Sequence, residues 1–397
     1  LELRLGKLSA GFDNRPLPLS GITPAPMCTS NNTPRPQAVG WVCSYTPEEI
    51  IVAAGLTPYR MLGGAGSRES NPTLLPPNFC PFVRRLCAQG FDLVPQTLQG
   101  LVLVQSCDAM RRLSDVWARC LQPGLVHRFD LPRRRDSLAE DFLLRKLEGL
   151  GSALEAFTGN RLQNEDLQEA IQTVNRTRSL AQDLFRLHSS NPDLLSAGNL
   201  LRLLQQGFAG PHSKMQARLE SAIAAIHSAE PNRKQGPVKV RLLLTGSIVE
   251  DPELCHCLES AGADLVLDDT CSGRRHFDGL TDTREDPLRA IAKRLLQRPP
   301  CSRMLGLQDR LDRITRLARG HGCHGVIYHT LKFCDLVQSD LPPLRTRLER
   351  EQLPLLHLER ESLGEDSGQL LTRVEAFVEH IQAQQSADAG AISGARA

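Results

Sequence analysis

The stretch GLVLVQSCDAMRRLSDVW, residues 100–117, joins a short apolar run to an amphipathic segment through a cysteine. The run at 101–104 predicts a buried strand, and the spacing of apolar residues from Asp108 onward predicts a helix. Cys107 therefore stands where a strand passes into a helix, which is the kind of junction that parallel α/β sheets repeat.

The same junction occurs twice more. ADLVLDDTCSGRR (263–275) delivers Cys271 after an apolar run, and HGVIYHTLKFCDL (324–336) delivers Cys334. Because ligands of open α/β sheets bind beyond the carboxyl ends of the strands, all three thiols are predicted to lie at a ligand-binding edge.

Strands and helices alternate on both sides of a purely helical stretch. The pattern predicts an α/β protein with two doubly wound Rossmann-like parallel-sheet domains and a helical insert. The predicted segments are an extended N-terminal arm at 1–38, a first α/β domain at 39–135, a helical region at 136–236, a second α/β domain at 237–385 and a flexible tail at 386–397.

GWVCSYTPEEIIVAAG contains a helix start near the beginning of the first domain. Thr46 is the expected N-cap, Pro47 suits the first turn, and Glu49 is spaced to complete a capping box.

Composition excludes several classes of protein. The formal net charge is +2 and aromatic residues make up 4% of the 397 residues, which argues against nucleic acid and against an anionic membrane surface as partners. No apolar run has the ~20 residues of a membrane helix, and the N-terminal sequence lacks an apolar signal core. We therefore expect a cytoplasmic protein, in which the 12 cysteines are free thiols and not a disulfide framework.

A free cysteine is most often a buried packing residue, but a metal ligand or a nucleophile is the other interpretation. In NFCPFVRR, Pro81 favours an extended backbone at Cys80 and a helix start directly after it. Backbone N–H groups and the helix dipole favour thiolate at such a position, and thiolate is the form that binds soft metals and iron–sulfur clusters. No compact Cys-x-x-Cys pair is present, so spacing alone leaves a shared cluster open.

Several segments together resemble the 2-hydroxyacyl-CoA dehydratase family, which includes benzoyl-CoA reductase subunits and double-cubane cluster proteins. They are GWVCSYTPEEIIVAAGLTPYR, NFCPFVRR, LVQSCDAMRRLSDVW, DDTCSGRR, PPCSRM, GVIYHTLKFCD and GQLLTRVEAFVE, in the family's order. The resemblance implies two Rossmann-like domains, a helical part and an oxygen-sensitive iron–sulfur cluster.

Carried over residue by residue, the resemblance implies that Cys80, Cys107 and Cys334 bind a 4Fe–4S cluster with one iron left open. Ser44 matches a serine that lies near the substrate hydroxyl in the dehydratases. Glu49 matches a glutamate of the family, for which the capping-box role is the alternative.

The chain departs from the dehydratase pattern at Cys43, where a non-ligand residue is usual. With Cys271 and Cys301 it supplies three further thiols in motif positions. Six motif thiols suit a double-cubane 8Fe–9S cluster, which is the alternative cofactor.

The predicted function is an iron–sulfur enzyme component, a lyase or a low-potential reductase. In this family an ATP-dependent activator protein with its own cluster injects an electron, and the dehydratases form a ketyl radical from an acyl-CoA thioester. The chain carries no nucleotide motif of its own. It is expected to act as a homodimer or with a paralogous second subunit.

Three alternatives remain: a homodimeric double-cubane reductase of small molecules, a non-catalytic cluster-bearing subunit of a heterodimer, and a zinc-stabilised module. The zinc interpretation is suggested by two segments that combine cysteine and histidine, ELCHCLE and HGCHG. Cys255 and Cys257 would face different sides of a helix, which disfavours chelation.

Overall fold

The computed structural model describes residues 38–63, 74–94, 96–229, 239–361 and 367–394. These ranges belong to one compact unit, Gln37–Ala397. The predicted N-terminal arm, apart from its last residue, and the final three residues of the predicted tail lie outside the described residues.

The first sheet has four parallel strands in the order β2-β1-β3-β4. They are β1 (Ala38–Trp41), β2 (Thr57–Arg60), β3 (Leu98–Val104) and β4 (Leu125–Phe129). The two central strands are almost entirely buried, as expected of parallel strands covered by helices on both faces. Gly40 is needed for this packing, because a Cβ there would lie 2.8 Å from side-chain carbons of Leu98 and Leu101.

Three helices belong to this half: α1 (Glu48–Ala53), α2 (Pro81–Leu93) and α3 (Asp108–Cys120). As predicted, α2 begins at Pro81 and α3 at Asp108, which leaves Cys80 and Cys107 at the N-cap positions.

The predicted capping box at the start of α1 is wrong. The N-cap is Pro47, without a side-chain cap, and Glu49 accepts a hydrogen bond at 2.7 Å from Nη1 of Arg178. Both side chains are buried, and a buried carboxylate gains more from a buried cation than from a neutral N–H group.

The helical region contains α4 (Ser137–Thr158), α5 (Asn164–Ser190), α6 (Ala197–Gly207) and α7 (His212–Ser228). Asp136 caps α4 by accepting a hydrogen bond from the backbone N–H of Ala139 at 3.0 Å. A stripe of leucines on α4, at a spacing of three to four residues, packs into the same buried cluster as Val102 of the first sheet.

The second sheet has four parallel strands in the order β6-β5-β7-β8. They are β5 (Val240–Gly246), β6 (Ala263–Asp269), β7 (Gly325–Leu331) and β8 (Leu355–Arg360). This order is that of the first sheet, strand for strand. The shared order agrees with two equivalent α/β halves, and the predicted fold class is confirmed.

The helices of this half are α8 (Pro252–Ser260), α9 (Arg274–Phe277), α10 (Pro287–Gln297), α11 (Leu307–Gly320), α12 (Asp335–Gln338), α13 (Leu341–Arg350) and α14 (Ser367–Gly394). The sequence pattern predicts one helix at 337–351, but two short helices occupy this part. Pro342 and Pro343 lack an N–H to continue the first helix and instead start the second.

The predicted domain boundaries stay predictions, and one packing feature crosses them. Helix α10 follows the second sheet's β6 in the chain, yet Ile291 and Leu295 join the buried cluster of the first sheet. Across the residues that the structure describes, no helix combines the length and apolarity that crossing a bilayer requires.

Candidate functional site

A cavity of about 520 Å³ lies beyond the carboxyl ends of strands from both sheets. Each sheet reverses its strand order at its centre, between β1 and β3 and between β5 and β7. Parallel sheets bind ligands at such reversal points. The cysteines that line the cavity are Cys43, Cys80, Cys107, Cys271, Cys301 and Cys334.

The first thiol group consists of Cys80, Cys107 and Cys334, and each occupies the N-cap position of a helix. A hydrogen bond joins the side chains of Cys80 and Cys334. Cys107 lies close enough to Cys334 for their charges to interact. Two sulfurs from the first half thus meet one that follows β7 of the second half.

The pKa values of this group differ in direction. The hydrogen bond with Cys334, and then burial, raise the pKa of Cys80, and burial raises the pKa of Cys107. The same hydrogen bond lowers the pKa of Cys334 to about 7, aided by the N–H of Val337 and by Ser247. The helix start therefore favours thiolate at each position, but burial outweighs it at Cys107.

The second thiol group consists of Cys43, Cys271 and Cys301, which come from the loop after β1, the loop after β6 and the segment after α10. Burial raises the pKa of Cys43 to about 11, and the charge of Cys301 adds to the effect. Burial also raises the pKa of Cys271, against the opposing charges of Arg60 and Arg275. Cys301 lies close enough to both other thiols to interact with them electrostatically, which puts the three sulfurs in one part of the cleft.

Arginines fix the loops that carry these thiols. Arg60 donates to the carbonyl of Cys271 at 2.6 Å, and Arg298 donates to the carbonyls of Ser44 and, at 2.8 Å, Arg275. Arg303 bridges the carbonyls of Gln105 and Leu131 at 3.0 and 2.9 Å. These bonds tie the loops of the first half to those of the second.

Ser44 lines the cleft, and its role near a substrate hydroxyl stays a prediction. Its hydroxyl donates to the carbonyl of Cys271 at 2.7 Å and accepts from Nη2 of Arg60 at 2.9 Å. A hydroxyl has one donor and two acceptor lone pairs, so one lone pair remains for a ligand.

Glu49 does not line the cleft. Its Oε1 accepts hydrogen bonds from Arg178 at 2.7 Å and from Oγ1 of Thr281 at 3.0 Å. Burial alone would raise the pKa of Glu49, but Arg178 and Arg294 outweigh it and hold the value at about 2. The structure thus gives Glu49 a buried ion pair between α1 and α5.

Sequence reasoning missed the cleft residues Ser247, Arg275, Arg298 and Arg303. The three arginines could have been found from the sequence, because each lies within four residues of a motif cysteine in CSGRR or QRPPCSR. Isolated arginines near a loop are common, so only the fold reveals that they face one cavity.

Among the described residues, no three His, Cys, Asp or Glu side chains converge on a point that could hold a single metal ion. The residues of the zinc alternative have other contacts: Cys255 packs into a buried apolar cluster, and His321 and His324 are engaged by Ser189 and the backbone of Arg241. Two groups of three thiols around a roomy cavity instead suit a polynuclear group, since soft thiolates are the ligands that iron–sulfur clusters take.

A family model described as 2-hydroxyglutaryl-CoA dehydratase, D-component, matches residues 43–381. One of the benzoyl-CoA reductase subunits of Thauera aromatica is 24% identical over 345 residues, which cover 85% of this chain and 88% of that protein. The (R)-phenyllactyl-CoA dehydratase beta subunit of Clostridium sporogenes is 22% identical over 347 residues, covering 87% and 92%. The beta subunit of (R)-2-hydroxyglutaryl-CoA dehydratase of Acidaminococcus fermentans is 22% identical over 359 residues, also covering 87% and 92%.

Proposed function

The chain belongs to the 2-hydroxyglutaryl-CoA dehydratase D-component family and is an enzyme component of the lyase or reductase type. We propose that it binds an iron–sulfur cluster for radical dehydration or reduction of an acyl-CoA. The observation that carries the proposal is the first thiol group, whose three sulfurs come from both halves of the molecule and face one cavity.

Cys80, Cys107 and Cys334 would hold a 4Fe–4S cluster. When bound, a cluster with three protein ligands supplies a one-electron reductant and an iron that can act as a Lewis acid. The deep wall of the cavity is apolar, with Val42, Phe82, Met110 and Leu331 among its buried residues. Such a wall keeps water away from reactive species.

Ser44 is the proposed substrate-positioning residue. Arg60 and the carbonyl of Cys271 fix its hydroxyl, and the remaining lone pair can accept a hydrogen bond from a substrate hydroxyl. Ser44→Ala should therefore lower turnover of a 2-hydroxyacyl-CoA while the iron content stays unchanged. Loss of iron in this variant would show that Ser44 supports the loops and not the substrate.

The proposed partners are an ATP-dependent activator protein with its own cluster and either a second copy of this chain or a paralogous subunit. The relatives' names as subunits support a multi-subunit enzyme. An oxygen-sensitive cluster also supports action in the cytoplasm of an anaerobic cell.

The second thiol group favours a second candidate function, a homodimeric reductase of small molecules with a double-cubane 8Fe–9S cluster. Cys43, Cys271 and Cys301 line the same cavity as the first thiol group. In this form each group of three sulfurs would hold one cubane. A passive cluster-bearing subunit is the remaining alternative.

Iron and acid-labile sulfide, measured after anaerobic purification, test the proposal. We expect about four irons per chain for one cubane and about eight for two. Cys107→Ser should lose iron, whereas Cys120→Ser, an exposed thiol at the other end of α3, is the matched control and should keep it. Full iron in Cys107→Ser would contradict the assignment.

Two further measurements separate the alternatives. Cys43→Ser that retains every iron would contradict the double cubane. Turnover of an acyl-CoA by this chain with an activator, in the absence of a second subunit, would exclude a passive role. Turnover that needs the second subunit would support a heterodimer.

A further inference from the structure

The two thiol groups of the cleft have different charged neighbours. Four arginines surround the second thiol group and are called the arginine wall: Arg60, Arg275, Arg298 and Arg303. The residues that follow Cys107 and Cys334 in the chain are Asp108 and Asp335, and both line the cleft at the first thiol group.

The arginine wall is buried, with exposed fractions of 3, 7, 3 and 8% in chain order. Its hydrogen bonds go to carbonyls, to Ser44 Oγ and to the sulfur of Met304, and none of the four forms an ion pair with a carboxylate among the described residues. Asp269 is the acidic side chain near Arg275, and its Oδ1 is already bonded by Arg313 at 2.8 Å. All four Nε atoms are buried without a hydrogen-bond partner.

Among the described residues that line the cleft, the arginine outside the arginine wall is Arg133, and it is exposed. Arg85 lies on α2, the helix that begins after Cys80, but it forms a bidentate ion pair with Glu250 at 2.6 and 2.7 Å and does not line the cleft. Asp335 adds negative charge beside Cys334. Buried guanidinium groups therefore lie at the second thiol group, whereas the carboxylates at the first thiol group are exposed and Asp108 is paired with Arg112 at 3.5 Å.

Buried cations without counterions are costly, so an anion at the second thiol group would offset the cost. Three thiolates and a bound iron–sulfur group supply that negative charge. The same cations favour the more reduced state of a bound iron–sulfur group, because reduction adds one negative charge to it.

We propose that the arginine wall compensates the negative charge of an iron–sulfur group bound at Cys43, Cys271 and Cys301, so that an electron added to the site resides at that end. The inference rests on the double-cubane form of the proposed function. The electron comes from an external one-electron donor, which is oxidised in turn, and no bond forms or breaks.

The test is potentiometric titration with dithionite, followed by electron paramagnetic resonance, on anaerobically purified protein. Arg298→Gln removes a charge of the wall, and Arg298→Lys keeps the charge while losing the planar fork. Arg241→Gln is the matched control, since Arg241 also donates only to carbonyls but lies near the start of β5. Five residues at ~3.3 Å each put it roughly 16 Å from the cleft end of that strand.

We expect a more negative midpoint potential in Arg298→Gln, and values close to wild type in Arg298→Lys and Arg241→Gln. Arg303→Gln should repeat the shift. In wild type, Mössbauer spectra should show that one-electron reduction increases the ferrous character of one half of the irons only, and in Arg298→Gln the increase should spread over both halves.

Several results would overturn the inference. An unchanged potential in both Gln variants, or equal shifts in Arg298→Gln and Arg298→Lys, would show that charge is not the cause. Loss of iron in Arg298→Lys as well as in Arg298→Gln would assign the arginine a structural role only. About four irons in wild type, all retained by Cys43→Ser, would overturn it while leaving the single-cluster function standing, whereas iron-free wild type would overturn both.

Discussion

Replacing Arg178 by methionine should destabilise the protein strongly, because it leaves Glu49 charged and buried. The pKa of Glu49 is held at about 2 instead of 4.5, chiefly by Arg178 against the effect of burial. Each pKa unit corresponds to about 1.4 kcal/mol, so the net shift of Glu49 contributes about 3–4 kcal/mol to the free energy of unfolding at pH 7. Breaking one partner of a buried pair costs about 3–5 kcal/mol, which agrees.

The assay is urea denaturation followed by far-ultraviolet circular dichroism, for Arg178→Met, Glu49→Gln and the double variant. The double variant should recover much of the loss, since neither member of the ion pair is left as a buried charge without its partner. Because the folded pKa of Glu49 is depressed, its contribution is present above pH about 4.5 and is lost as the pH falls towards 2. Arg178→Met should lack this part of the acid transition.

A free energy of unfolding within about 1 kcal/mol of wild type in Arg178→Met would contradict the expected cost of breaking the ion pair. A double variant no more stable than Arg178→Met would contradict it as well. The experiment also bears on the role of Glu49. If its loss affects turnover only in proportion to folded protein, the ion pair explains the residue. A specific loss of turnover in stable, fully folded Glu49→Gln would support the predicted catalytic role.

Glu48 has the opposite shift: burial raises its pKa to about 7, so stability should fall as the pH rises from 4.5 through 7. Glu48→Gln should flatten this profile in urea titrations between pH 5 and 8 and be the more stable protein at pH 8; an unchanged profile would contradict the shift. Gly40→Val should lower the free energy of unfolding by about 1–3 kcal/mol through overpacking. Gly149→Ala, in open space on α4, should raise it by up to about 1 kcal/mol, and equal thermal midpoints for the two variants would contradict the packing at Gly40. In metal-free protein at pH 8, iodoacetamide should label Cys334 before Cys107, since the pKa of Cys334 is lowered and that of Cys107 is raised. Peptide mass spectrometry measures the order, and labelling of Cys107 first would contradict these shifts.

The local elements and the strand-end thiols are predictable from the sequence. The run before Cys107 is apolar without alternation because β3 is buried on both faces. Its thiol reaches the cleft because the carboxyl ends of parallel strands share one edge. The break between α12 and α13 is also encoded locally, by Pro342 and Pro343.

The long-range pairings are not predictable from periodicity. Arg178 meets Glu49 across 129 positions, and Arg60 meets the carbonyl of Cys271 across 211. Hydrophobic spacing states which face of a helix is buried but not which distant element covers it. The capping-box prediction failed for this reason, since a local motif competed with a buried cation that only the fold supplies.

We propose that sulfurs from both halves of the chain bind one iron–sulfur group. Anomalous diffraction at the iron edge, from crystals grown and frozen without oxygen, tests it most directly. We expect iron density inside the cleft, within bonding distance of the sulfurs of Cys80, Cys107 and Cys334. Iron density elsewhere, or iron-free crystals of a preparation with full turnover, would contradict it.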